Sequence, residues 1–400
     1  MGSPLSNIIE KKILRQERLS VEEGLFLLDD APLLWLGRLA SEERFRRFPQ
    51  KEVTFVLDTN PNYTNVCETA CQFCAFYRHS EDPDAYTLSV DEVMEKIDKA
   101  VQNGVTTVLL QGGHNDALPL DYYLSLVRET KKRFPTVTPH FFSASEIQMM
   151  SRVSGLSVID VLRKLKEAGQ TSLPGGGAEI LSDRVRDKIS PQKGGPSEWL
   201  SVHSAAHELG FLSTATMMYG HVEESEDVAE HWEAVRQLQD ESKAKKMGGH
   251  FTAFVPWSFK PENTALERRF PRRAGTIPYL RMIAASRLYL DNIDHIQASW
   301  FSEGKKVGQT ALQFGADDFG GTLFEENVHA EAGFVNTTTP SEVITLIHEA
   351  GFDAVQRTTD YQRIKTNQRS DSGSSIGPLT GAGDMPIRKN TATPIDFVSM

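Results

Sequence analysis

Cys67, Cys71 and Cys74 are the only cysteines in the 400 residues, and they share one short stretch with the spacing C-x3-C-x2-C. An odd count cannot close a disulfide framework, and three thiols fall one short of a four-cysteine site. The spacing offers three thiolates with one coordination position left open. A [4Fe–4S] cubane takes four ligands, so three cysteines leave one iron free to bind a small molecule. The competing arrangement is a zinc site of three cysteines and one histidine, with His79 or His114 as the fourth ligand. Zinc sites usually pair their cysteines in knuckles, and here there is a single cluster, which disfavours zinc.

The loop must be carried by something, and the flanking sequence says what. Val53 to Leu57 reads as a strand that runs directly into the cysteines. Ser89-Val90-Asp91-Glu92 is a capping-box pattern ahead of Val93, Met94, Ile97, Ala100 and Val101 at helical spacing, with Gly104 as a stop. Further strands are expected at Val105–Leu110, Thr138–Phe142, Thr171–Leu173, Ser213–Met218, Phe251–Val255, His295–Ser299 and, last, near Thr310–Phe314. Helices are expected at Val158–Ala168 and Glu198–Leu209, each followed by a glycine suited to a left-handed cap. Strand–helix repetition of this kind builds either a closed (β/α)8 barrel or an open doubly wound sheet, and eight candidate strands favour the α/β barrel. In a barrel the chemistry lies where strands end. Gln111-Gly112-Gly113, Ser145-Glu146, Gly175-Gly176-Gly177-Ala178-Glu179, Tyr219-Gly220-His221 and Pro256-Trp257 each follow a strand, as the cysteines do.

The expected organisation is a helical cap over residues 1–49, the barrel over 50–330, a helical extension over 331–366 that includes Ser341–Ala350, and a disordered tail over 367–400. The tail expectation rests on its Ser, Gly, Pro and Thr content, which cannot bury a core. A formal charge of −11 without clustered Lys and Arg argues against a nucleic-acid partner. No window approaches the roughly 20 apolar residues that span a bilayer, and Met1–Arg18 lacks a signal-peptide core, so a cytoplasmic, reducing location is expected.

Asn62-Tyr63-Thr64-Asn65-Val66-Cys67 and Cys71-Gln72-Phe73-Cys74-Ala75-Phe76-Tyr77-Arg78 resemble the radical S-adenosylmethionine (SAM) enzymes of the futalosine route to menaquinone and their relative, the deazaflavin synthase. The likeness extends from about Ile8 to Ile364. Within it, Ile189-Ser190-Pro191, Thr214–Met218, Pro256-Trp257, Gln297-Ala298-Ser299-Trp300 and Glu325–Val328 resemble the cyclase branch rather than the aminofutalosine synthase branch, which typically carries Lys-Ala-Tyr-Trp at 297–300. His114-Asn115 and Asp317-Asp318 depart from the usual pattern, and both are expected beside the pocket.

The resemblance implies a [4Fe–4S] cluster on Cys67, Cys71 and Cys74, chelated SAM, an external one-electron donor, and dehypoxanthine futalosine as substrate. A 5′-deoxyadenosyl radical would take the ribose C4′ hydrogen, and the carbon radical would close onto the benzoate ring. Phe73 would lie near the adenine. Gln111, Gly112 and Gly113 would meet the methionine ammonium, Ser145 and Glu146 its carboxylate or the ribose, and Glu179 the ribose hydroxyls. A benzoate calls for a guanidinium, with Arg78, Arg184, Arg281 and Arg287 as candidates. His221, with Glu223 beside it, is the candidate base for the ring proton. Addition to an enolpyruvyl benzoate, as in the sibling enzyme, and a zinc-stabilised binding protein are the alternatives.

Overall fold

The computed structural model describes residues 4–369. Eleven strands are present among them: β1 Glu52–Val56, β2 Asp58–Thr59, β3 Thr107–Leu110, β4 Thr138–Phe141, β5 Ser172–Leu173, β6 Leu212–Tyr219, β7 Phe251–Ser258, β8 His295–Ile296, β9 Asp318–Gly321, β10 Asp353–Arg357 and β11 Arg363–Asn367. β2 to β8 form one parallel sheet in chain order, and a second sheet runs β11-β10-β1-β9. β1 continues into β2, and a bridge between Gln297 and Asp318 joins the end of β8 to β9. Eight strand positions therefore close into a TIM-type α/β barrel. Helices cover the outer side of these strands and side chains fill most of the inner side, which is why the strands read as near-continuous apolar runs; in β7 only Trp257 is not buried.

The N-terminal segment forms the helices Pro4–Leu14, Val21–Asp29 and Leu33–Arg47. Ser20 and Glu23 form a capping box at the second of these. The cap packs on the helix Thr276–Tyr289 so tightly that a Cβ on Gly24 would come within 2.7 Å of the Tyr289 ring. Cap, barrel and C-terminal extension pack as one unit through Arg369. Among the described residues no helix is long and apolar enough to cross a membrane.

Two expectations are corrected. Thr310–Phe314 is not a strand; it ends the helix Lys305–Ala311 and makes a 3-10 turn, closed by Gly315 at φ +100°. The strand is Asp318–Gly321, a sequence of low β propensity placed there by its neighbours. Asp318 pairs with Arg357, and a Cβ on Gly321 would collide with the Asp58 carboxylate. The extension is also not purely helical. After the helix Pro340–Glu349 the chain forms β10, parallel to β1, and turns back as β11. Most of the tail expected to be disordered, from residue 370 on, lies outside the described residues.

Candidate active site

The loop after β2 is built by hydrogen bonds before it does any chemistry. Thr64 accepts from the Gly113 N–H at 2.9 Å, the Cys67 N–H donates to Arg78 at 2.9 Å, and the Arg78 N–H donates to Asn65 at 2.8 Å. The Asn65 side chain accepts from the Tyr86 N–H at 2.7 Å and donates to the Asp84 carbonyl at 3.0 Å. Arg78 then clamps the far end, donating to the carbonyls of Ala75, Phe76 and Tyr77 and pairing with Asp84 and Glu331. Its guanidinium is thus committed to the loop rather than free for a substrate.

All three cysteines border a cavity of about 320 Å³ inside the rim of the barrel. Thr69 Oγ1 lies 3.1 Å from Cys67 Sγ and 3.5 Å from Cys71 Sγ. Burial pushes the Cys74 thiol up to about 12, with the neighbouring Cys71 adding to it, and burial also raises Cys71. Three thiolates gathered in a buried loop need a cationic centre to be stable. Among the described residues, no three His, Cys, Asp or Glu side chains converge as a single metal ion requires. A cubane asks instead for one thiolate per iron around a shared space, and that donor set is what the loop provides.

The opposite side of the loop shows why two glycines follow β3. A Cβ on Gly112 would come within 2.6 Å of the Tyr63 ring, and one on Gly113 would collide with the Val66 carbonyl. Their freedom serves close approach of this turn to the cysteine loop. Glu146 locks the same junction from the first turn of the helix Ala144–Ser154 that follows β4. It is 1% exposed, and it accepts from the Tyr63 hydroxyl at 2.7 Å, the Gly112 N–H at 3.1 Å and the Ser143 N–H at 2.7 Å. Burial raises its carboxyl even so. Gln111 lines the cavity beside Gly176, and its carbonyl accepts from Asn62 at 2.8 Å. Ser145 contacts the His114 ring at 3.0 Å; burial drops that imidazole to about 3, so it is neutral. Glu179 accepts from Lys193 at 2.8 Å, and the Lys193 ammonium stands 5.5 Å from the centre of the Phe73 ring. Phe73, Gln111, Gly112, Gly113, Glu146 and Glu179 therefore do meet at one cavity, with Ser145 just behind it in an adjoining hollow.

Five other expected residues stand elsewhere. His221 is closed into its own turn: Nε2–H donates to the Met218 carbonyl at 3.1 Å and Nδ1 accepts from the Val222 N–H at 2.7 Å. Glu223 accepts from the Gly220 and His221 N–H groups. Arg184 pairs with Asp227 on the outside. Arg281 donates to the Leu27 and Ala31 carbonyls and holds the cap. Arg287 is buried against Asp317 and the Gly315 carbonyl. Strand-end position and residue type suggested all five, but each is consumed by local or cap contacts.

In their place the cavity has groups that were not singled out. Arg357, from β10, lines the floor; it pairs with Asp318 in a two-point contact, Nη2 to Oδ1 at 3.0 Å, and lies 3.9 Å above the Tyr361 ring. Asp58 lies beside it. Burial lifts its carboxyl to about 6, against the pull of the Leu323 N–H and Arg357. Of the departing residues, His114 borders the cavity and Asp318 holds Arg357, whereas Asp317 faces Arg287 and His295. Lys193 follows the Ile189-Ser190-Pro191 segment, the one signal that could have drawn attention to it.

A cysteine loop at the mouth of a parallel barrel, with a cavity behind it, defines a class. Residues 61–235 match the family model described as Radical SAM superfamily, and 248–370 match the CofH/MqnC C-terminal region. The chain belongs to the radical SAM superfamily, whose members use a [4Fe–4S] cluster and SAM. It is 40% identical over 90% of its length to the cyclic dehypoxanthine futalosine synthase of Halalkalibacterium halodurans, covering 95% of that protein. It is 41% identical over 82% of its length to the 5-amino-6-(D-ribitylamino)uracil–L-tyrosine 4-hydroxyphenyl transferase of Methanopyrus kandleri, covering 88% of that protein. Among solved structures the fold is shared with HydG, a maturase of the [FeFe]-hydrogenase, at TM-score 0.71 and 16% identity over 90% of this chain and 77% of that one.

Proposed function

We propose that this enzyme closes dehypoxanthine futalosine to its cyclic product in menaquinone biosynthesis, with Cys67, Cys71 and Cys74 holding the cluster. Overall identity does not separate the activities of the relatives, which differ by one percentage point. The observation that carries the reading is local. Segments that resemble the cyclase branch converge on the cavity, which is lined by Thr214, Thr216, Trp257, Gln297, Glu326 and Val328.

Cluster and SAM together supply a primary carbon radical. The chain's own residues hold what that radical must meet. The Glu146 junction and the Glu179–Lys193 pair fix the wall beside the cysteines, where polar groups of SAM are bound. Trp257 and Phe301 offer apolar faces to an aryl ring, so that one C–H bond is held in near-attack position and water is kept out. An external one-electron donor and a reducing cytoplasmic location complete the proposal.

Substrate deuterated at ribose C4′ tests it. The expected result, by mass spectrometry, is 5′-deoxyadenosine carrying one deuterium together with cyclised product. Unlabelled deoxyadenosine at normal turnover would rule out C4′ abstraction, and activity only on an enolpyruvyl benzoate would move the chain to the sibling reaction.

A further inference from the structure

Three separate segments of the chain meet on one part of the cavity wall. β7 brings Trp257, the short helix Trp300–Glu303 after β8 brings Phe301, and the segment after β9 brings Glu326 and, in the short helix Val328–Glu331, His329. The His329 ring lies edge-on to Trp257 at 5.4 Å and to Phe301 at 5.3 Å. Glu326 accepts from the Val328 N–H at 3.0 Å and the His329 N–H at 2.9 Å, and its Oε1 stands 3.6 Å from His329 Nδ1. Both ring nitrogens of His329 are buried without a hydrogen-bond partner.

The other described histidines bordering the cavity differ in this respect. His114 contacts Ser145 at 3.0 Å, and His140 contacts Ser172 at 2.6 Å. A buried polar group without a partner is rare in a folded protein and costs stability, so it calls for an explanation such as a missing ligand. His329 is the imidazole that the fold leaves open to one.

We propose that His329, backed by Glu326, is the base that takes the aryl proton at the end of cyclisation, an assignment that rests on the function proposed above. The C4′ radical bonds to a hydrogen-bearing carbon of the aryl ring and leaves a delocalised ring radical. The C–H bond at that carbon then breaks: the proton goes to a ring nitrogen of His329 and the electron pair stays in the ring. The one surplus electron leaves to a one-electron acceptor of the iron–sulfur class, and aromaticity is restored. Glu326 is a positioning residue, placing a carboxylate beside the imidazolium that forms. Burial works to raise its carboxyl, but His329 and the two backbone N–H groups leave it below the ordinary range. The aromatic walls contribute by keeping water from competing for the proton.

The test uses the full chain, reconstituted anaerobically, with C4′-deuterated substrate, and reads two products from one reaction. In His329→Gln, deuterium should still reach 5′-deoxyadenosine while cyclised product per deoxyadenosine falls roughly 100-fold. His329→Ala should behave the same way and recover on addition of free imidazole. Glu326→Gln should lower the ratio about 10-fold, with partial recovery in Glu326→Asp. An unchanged ratio in His329→Gln would overturn the assignment. So would loss of deuterium transfer together with cyclisation in a variant that still carries its cluster, since that would mark a binding role. Failure of the wild-type protein to transfer deuterium would instead overturn the function itself, and this assignment with it.

Discussion

The two walls of the cavity are built on opposite principles. On the cysteine side the polar groups are spent on one another: Glu146 on Tyr63, Gly112 and Ser143; Glu179 on Lys193; Thr64 and Asn65 on neighbouring backbone. On the side formed by Trp257, Phe301 and His329, aromatic faces predominate, and both ring nitrogens of His329 are buried without a hydrogen-bond partner. A reaction that begins by generating a radical needs one fixed geometry whatever the substrate, so the first wall is saturated and rigid. The second must leave donors and acceptors open for a ligand and gives up stability to do so.

The largest effect should come from the saturated wall. Cys67→Ala, Cys71→Ala and Cys74→Ala should each abolish SAM cleavage, checked by iron content, absorbance and deoxyadenosine release; full cleavage in any of them would undo the cluster assignment. Next comes the floor between the walls. Arg357→Ala strips Asp318 of its two-point partner in a buried setting and should cost about 3–5 kcal/mol, read from denaturant unfolding. A loss below about 1 kcal/mol would show that the pair is solvated.

Asp58 gives a pH signature of the same floor. Its carboxyl is lifted from 3.8 to about 6 mainly by burial, so the folded state binds the proton more tightly than the unfolded chain. That contribution is full below pH 3.8 and is lost as pH rises through about 6. Asp58→Asn has no such titration, so its stability relative to wild type should rise by about 1–3 kcal/mol between about pH 4 and pH 7. A flat difference would place the carboxyl in water. The smallest effect belongs outside both walls: Arg184→Ala should leave the unfolding midpoint almost unchanged and KM for the substrate unaltered. A large rise in KM would bring Arg184 into the site.

Much of the cysteine wall is legible in the sequence. Cysteine spacing, the glycines after β3 and the strand-end position of Ser145 and Glu146 are short-range patterns, whereas the helix that Ser143 and Glu146 cap is visible only in the fold. The aromatic wall was less legible, although Trp257 and Glu326 lay in segments that the family resemblance had marked. The strand expected near Thr310–Phe314 is a helix end and a 3-10 turn, and the true strand Asp-Phe-Gly-Gly has almost no propensity of its own. His221 and the four arginines had suitable chemistry at plausible positions. No local pattern reveals that a side chain is already bonded to its own turn, or to a cap more than 200 residues away, as Arg281 is.

From composition and spacing alone follow the three-thiolate chemistry, the parallel α/β architecture and the rim on which the chemistry sits, because each rests on periodicity or on ligands close in the chain. The closure of the barrel, the arrival of Arg357 from β10 and the cage around His329 depend on contacts between residues up to about 300 positions apart. Such contacts are settled by packing, where burial decides which charges must pair and which polar groups are left open, and only the folded chain brings those residues within reach.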